Sequence, residues 1–300
     1  MSAATWLILT VSVIGIAYAL FIAAFFFVSH LAFVAYVRGS AVKVGPRQFP
    51  QLHARVHALA TEMGMEMPAV YIMQAGGTLN AFATRFLRRE MVILFSDLLE
   101  ACEGNDGARD MIVAHELAHL KCKHLRWMWF TLPGHFVPFL GSALSRAREY
   151  TCDRYGAAGA GDLAAARLGL VILSAGPQLA PRVDQGEFVR QRADMNTGLM
   201  TIGEWFGSHP PLSKRIAAID PGVDETAYSP TKGRLIAVTM LILVGSLGLV
   251  TMIVGAYAFN RFSELLDRAD QAVSGAVETS PAVVVHLGQV DLTTDPSMRT

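Results

Sequence analysis

The stretch "MIVAHELAHLKCKH", residues 111 to 124, carries two histidines four positions apart, with a glutamate directly after the first. On a helix, positions i and i+4 share a face, so His115 and His119 can aim ring nitrogens at a single ion. Glu116 lies about 100° round the helix from His115, close enough to touch a water on that ion without being a ligand. This is the H-E-x-x-H pattern of zinc hydrolases, which chance alone produces in roughly one chain of this length in a hundred.

A zinc that works on water needs a third protein ligand and one open position. His124 lies five residues past His119, which on a continuous helix turns it about 140° off that face, towards the surface or behind a ligand. Cys122 stands three residues after His119 and leans to the same side, but a soft thiolate is unusual at a reactive-water site. Glu149, in "SRAREYTCD", is better placed, because Asp153 follows at i+4 on the same face. That pairing lets Glu149 bind the metal while Asp153 accepts a hydrogen bond from a ligand histidine and fixes its tautomer. Without the histidine motif, Arg146, Arg148 and Arg154 would mark the same run as a solvated helix of mixed charge.

The elements that must position these residues follow from pattern and composition. Residues 50 to 63 read as an amphipathic helix with Pro in its first turn, and "PAVYIMQA" (68 to 75) as a strand. "NAFAT" and "EMVILF" read as two further strands, followed by a helix capped by Ser96 or Asp97. Asn105 or Asp106 offers the cap for the histidine helix. Helical runs follow around Glu149 and in "DLAAARLGLVILSA", with "GAAGAG" (156 to 161) as a helix-breaking turn between them. Residues 177 to 208 are polar and irregular, and "HPPLSKRIAAID" leads into a short helix.

Hydrophobic residues make up 52% of the chain and charged residues only 17%, against about a quarter charged in soluble domains, so part of the chain belongs in lipid. Trp6 to Val37 contains no charged residue apart from His30, and Leu235 to Phe259 contains none. Both are long enough to span. "AYA" at 17 to 19 resembles a signal-peptide cleavage site, but no basic residue precedes the run and the run continues well past it, which favours an anchor. Residues 38 to 234 hold 22 of the 25 Lys and Arg residues, with Arg38, Lys43, Arg47, Lys232 and Arg234 flanking the spans. The middle region is therefore expected in the cytoplasm, with both termini across the membrane. The expected domains are a span over 1–37, a metallopeptidase domain over 38–234, a second span over 235–259 and a loosely structured tail over 260–300. Zero net charge argues against nucleic acid. Three cysteines without pairing or C-x-x-C spacing suggest a reducing compartment and no disulfide.

"HELAH", "SRAREYTCDRYG" and "HPPLSKRI", with "LNAFAT" before them, resemble in order and context the membrane zinc metallopeptidases that include HtpX and the CAAX prenyl endopeptidases. The resemblance covers roughly residues 45 to 220. It implies an α+β gluzincin-type fold, mainly α with a small β-sheet, with His115, His119 and Glu149 on one Zn2+ and Glu116 as general base. It also implies that Asn80, Ala81, Phe82 and Ala83 form an edge strand for the substrate backbone, and that His209 lies near the reacting carbonyl, with Arg215 organising the same corner. The implied role is a zinc endopeptidase for membrane or unfolded proteins, acting in quality control at a bacterial inner membrane. Partners would be a polypeptide and the bilayer, with room for a homo-oligomer or a membrane-protein partner.

The chain departs from that family in two places. HtpX-type members usually carry two spans between the histidines and the glutamate, whereas only 29 residues separate His119 from Glu149 here. Trp127 to Leu144 is apolar, but a single crossing would put Glu149 on the wrong side and two need about 40 residues, so the run should stay on one side, bent by Pro133 and Pro138. It reads equally well as an interfacial segment carrying Trp127 and Trp129 or as a buried core helix. Cys152 replaces a small residue and reads as packing. Three rivals remain. One is a catalytically silent membrane scaffold with a zinc site that binds client segments, which would be expected to lose Glu116 or a ligand. Another is a narrow prenyl-peptide endopeptidase, which needs more spans. The last is a signalling protein with structural zinc, which needs a fourth Cys or His.

Overall fold

In the computed structural model of the chain, the described residues are 3–74, 76–86, 89–127, 131, 134, 137–223 and 228–279, with side chains described from 11 to 272. The elements are α1 (Ala3–Ser40), β1 (Val42–Lys43), α2 (Pro50–Glu62), β2 (Ala69–Met73), β3 (Ala81–Phe86), β4 (Arg89–Phe95), α3 (Ser96–Ala101), α4 (Asp106–Lys121), α5 (Leu140–Ala160), α6 (Leu163–Ala175), α7 (Gln185–Arg190), α8 (Gly198–Phe206), α9 (Leu212–Ile219) and α10 (Thr231–Thr279). The fold is mainly helical with one small sheet, as expected. Residues up to Val238 form one compact unit and the remainder, from Thr239, a second. Both α1 and α10 contain stretches long and apolar enough to cross a membrane. The second helix does not stop near Phe259 but continues to Thr279, so part of the expected loose tail is helical. Residues 280–300 lie outside the described part.

The sheet has the order β1-β2-β4-β3, with β2 and β4 parallel and the other two pairs antiparallel. Alternation sorts its side chains. Val70, Ile72, Val92 and Leu94 enter the main core with α2 and α4, while Tyr71, Met91, Ile93 and Phe95 face the other way. Val34 and Val37, at the end of α1, cover that second face at 3% and 0% exposure, each burial contributing roughly 1.5–3 kcal/mol. A sheet covered on both faces explains why "EMVILF" is a continuous apolar run and does not alternate with polar residues. β3 has a neighbour on one side only and forms an edge of the sheet.

Helix α4 is buried on nearly every side and packs closely against α5. Its buried Asp110 accepts bonds from Arg55 Nε (2.5 Å) and from Arg109 Nε and Nη2 (3.0 and 2.8 Å). Arg55 also donates to the Gly159 carbonyl at 2.9 Å, joining α2, α4 and α5. Here the structure corrects the reading of "GAAGAG" as a turn. Gly156 and Gly159 are helical and face α4, and a Cβ on them would come within 2.7 Å of the Met111 carbonyl and 2.5 Å of Ala114 Cβ. Close helix packing, not chain reversal, explains these glycines. Only Gly161 ends the helix, at φ +74°. The expected caps also differ: Phe95 precedes α3, while Ser96 and Asp97 lie inside its first turn. Asn105 occupies the position before α4 without a capping side-chain bond.

Of the apolar run 127–144, residues 128–130, 132–133 and 135–136, which include Trp129 and Pro133, lie outside the described part. Glu149, on α5, meets both histidines of α4, which a single crossing between them would prevent.

Candidate metal centre

The close packing of α4 on α5 brings three donors from two helices to one point. His115 Nε2 lies 3.5 Å from Glu149 Oε2, His119 Nε2 lies 3.4 Å from Glu149 Oε1, and the two Nε2 atoms are 3.3 Å apart. Two imidazoles and a carboxylate at these separations suit a tetrahedral zinc with one position open. The charge balance fits as well. Glu116, Glu149 and Asp153 are buried with Arg215 beside them, and with all three carboxylates ionised and both histidines neutral, as ligands, this set leaves two negative charges for a divalent ion.

The surrounding groups fix the ligands. Asp153, fully buried, places Oδ1 3.0 Å from His115 Nδ1, so that ring nitrogen holds the proton and Nε2 faces the ion site. Arg215 comes in from α9 and donates to both Asp153 oxygens, Nη2 to Oδ1 at 2.5 Å and Nε to Oδ2 at 2.8 Å. Its Nη1 also lies 3.3 Å from Glu149 Oε2. Burial works to raise the Glu149 pKa, but His115, His119 and Arg215 together hold it far below the usual carboxylate range. Burial likewise works to lower that of His115, and bonds to Asp153 and Glu149 overcome it, raising it to about 9. Glu116 moves the other way: burial is the largest influence and pushes its pKa up, against the attraction of both histidines and a bond from the Ala83 backbone. A carboxyl with a raised pKa beside two histidines is suited to taking up a proton.

The centre opens into a cleft of about 370 Å³ lined by Asn80 to Ala83, His115, Glu116, His119, Glu149, His209 and Arg215. Every residue expected in the site is thus gathered there except Asp153, which lies behind His115. Along the edge strand, Ala81 is buried and Phe82 turns its ring to Phe33 and Phe95, 5.9 and 5.8 Å away. His209 is exposed, with Nε2 3.7 Å from Glu149 Oε1 and Nδ1 2.9 Å from Ser208 Oγ. Its loop is held by Arg146, whose Nη1 donates to the carbonyls of Glu204, Trp205 and Gly207 at 2.9, 3.0 and 2.8 Å. Arg146 is therefore a tether for the end of α8, not a solvated charge.

His124 departs from the continuous-helix geometry. Helix α4 stops at Lys121, and Lys123 adopts φ +57°, which folds the chain back. His124 Nδ1 thereby lies 3.1 Å from His119 Nδ1 and 3.8 Å from Cys152 Sγ. Burial, His119 and Arg148 lower the His124 pKa to about 4, so the ring is neutral and can accept the His119 Nδ1–H. Cys152 is fully buried, as its reading as packing requires, but its Sγ also stands with His119 and His124 in a second group of three possible donors; Cys122 joins neither group. The sequence reading missed Arg148, Leu170 and Leu173 in the cleft wall. Arg148 had a signal in its place next to Glu149; the two leucines, on α6, had none.

The family model of peptidase family M48 matches residues 46–137 and 130–222, the span that contains all three donors. The chain belongs to peptidase family M48. Among relatives, the plastoglobule-localized metallopeptidase 48 of Arabidopsis thaliana chloroplasts is 27% identical over 185 residues, covering 56% of this chain and 53% of the relative. A protease HtpX homolog of Salinibacter ruber is 26% identical over 221 residues, covering 60% of this chain and 77% of the relative. The chain thus spans about half the length of the first of these M48 relatives. No solved structure matches it.

Proposed function

We propose that this chain is a membrane-anchored zinc endopeptidase. The observation that carries the reading is the meeting of His115, His119 and Glu149 within 3.5 Å of one another, in a cleft shared by Glu116 and the edge strand. His115, His119 and Glu149 would hold the ion. Zinc bound there supplies Lewis-acid activation of a water and of the scissile carbonyl.

The remaining work belongs to the protein. Glu116 removes a proton from the attacking water and delivers it to the leaving amine nitrogen. His209 donates to the carbonyl oxygen as it gains negative charge. Asp153 keeps the His115 proton on Nδ1, and Arg215 keeps Asp153 ionised and in place. The backbone from Asn80 to Ala83 holds the substrate extended beside β3, a mode that reads shape more than sequence. Such a site suits unfolded or membrane-tethered segments, which supports a role in quality control. The basic residues flanking the spans support a cytoplasmic domain in an inner membrane.

The test compares detergent-purified wild type with Glu116→Gln for zinc content and for cleavage of an unfolded protein. Equal zinc with cleavage by wild type alone is the expected result. Cleavage at the normal rate by the variant would refute the assignment of Glu116.

A further inference from the structure

The end of α1 is stacked on β3, and this contact relates the cleft to the bilayer. Residues 11 to 29 of α1 are exposed, His30 and Phe33 are half-buried, and Val34 and Val37 are buried on the sheet. On the face turned to the sheet exposure ends after residue 29, while Leu31, Ala32, Ala35 and Tyr36 stay exposed on the other face. A hydrocarbon edge at Phe27, the first residue of α1 to meet β3, leaves about 20 residues before it, enough for a core of about 30 Å.

β3 runs alongside this boundary at an incline. Its far end lies at the lipid edge, where Phe86 is 6.4 Å from the Phe27 ring and 5.5 Å from that of His30, and the Arg85 carbonyl accepts from His30 Nε2 at 3.2 Å. Phe82, four residues earlier, stacks on Phe33. Phe27 and Phe33 differ by about 9 Å in height along the helix, while Phe86 and Phe82 are about 13 Å apart along the strand. The cleft-lining residues Ala81 and Ala83 thus stand roughly 10 Å above the hydrocarbon edge. At the low end of the strand pair, Arg85 and Arg89 form no ion pair with a carboxylate among the described residues, and aromatic and cationic side chains at this depth suit an anionic headgroup layer.

From this stack we infer that the β3–β4 end rests in the headgroups of an anionic bilayer and holds the cleft at a fixed height, so that bonds a short, constant distance from a membrane-embedded segment are cut. The placement stands on packing alone; its consequence for cleavage rests on the peptidase reading. A substrate leaving the bilayer beside β3 covers the height in about three to five extended residues.

Two measurements test it on the full chain in vesicles of phosphatidylethanolamine and phosphatidylglycerol. Benzoylphenylalanine replaces Phe86 or, as a control beyond the end of α1, Val42. A lipid photo-adduct at 86 and none at 42 is expected; no adduct at 86, or equal yields, overturns the placement. Single-span substrates then carry one cleavable sequence moved outward by inserted residues, and the cut sites are mapped by mass. Cuts that keep their distance from the span support the ruler, and cuts that travel with the sequence overturn it. The adduct needs no catalysis, so a zinc-loaded chain that cuts neither tethered nor soluble polypeptide counts against the peptidase reading while the photo-adduct still decides the placement.

Discussion

Replacing Arg215 with methionine should destabilise the metal-free protein by about 3–5 kcal/mol, the usual penalty for breaking a buried ion pair. The size follows from the contacts. Arg215 makes two charge-assisted hydrogen bonds to Asp153, which is fully buried, and a third ionic contact with Glu149, which is 4% exposed. Each such bond contributes roughly 1.5–3 kcal/mol, and its loss leaves two buried carboxylates with only His115 as a neighbouring cation. Methionine keeps most of the side-chain volume, so packing changes little. The assay is chemical unfolding in detergent with EDTA present. The double variant Asp153→Leu/Arg215→Met should lose less than the single Arg215→Met, because no charge remains stranded at 153. A loss below about 1 kcal/mol for the single, or losses that add in the double, would refute the reasoning. The pH dependence has a definite sign. Asp153 and Glu149 are held below their ordinary values, so their stabilisation is complete above the unfolded value of about 4 and fades as pH falls through the folded ones. The deficit of the variant should therefore narrow on acidification below about pH 4.

Glu149→Gln should lower the zinc that copurifies with the chain, and unchanged content would move the ion to His119, His124 and Cys152. His124→Phe removes the acceptor for His119 Nδ1–H and should weaken zinc affinity about 10–100-fold in a chelator competition, with His124→Asn restoring part of it; equal affinities for all three proteins would deny His124 that part. Gly159→Val should destabilise by about 1–3 kcal/mol and also lower zinc affinity, since it forces α4 and α5 apart. Stability loss with unaltered affinity would separate that packing from the alignment of the donors.

The candidate donor pair, the candidate base, the two long apolar helices and the strands were all legible in the sequence. Each is written locally: i and i+4 for His115 and His119, and an unbroken apolar run for α1 and β4. Glu149 and Asp153 were legible because they too sit four apart, and the need for a third ligand with a partner behind it joined them to the histidines, as the resemblance also implied. Local patterns carry no information about which surfaces approach each other. That is why Gly156 and Gly159 read as a turn when their use is to let α5 approach α4, and why nothing in the sequence pointed to Arg146 as the side chain that holds the loop of His209. His124 was projected along a helix that in fact ends at Lys121, and one residue at positive φ sent it back to His119. Tertiary packing also set the height of β3 on α1, because a stack between residues 27 and 86 depends on two distant segments meeting and neither segment encodes it alone.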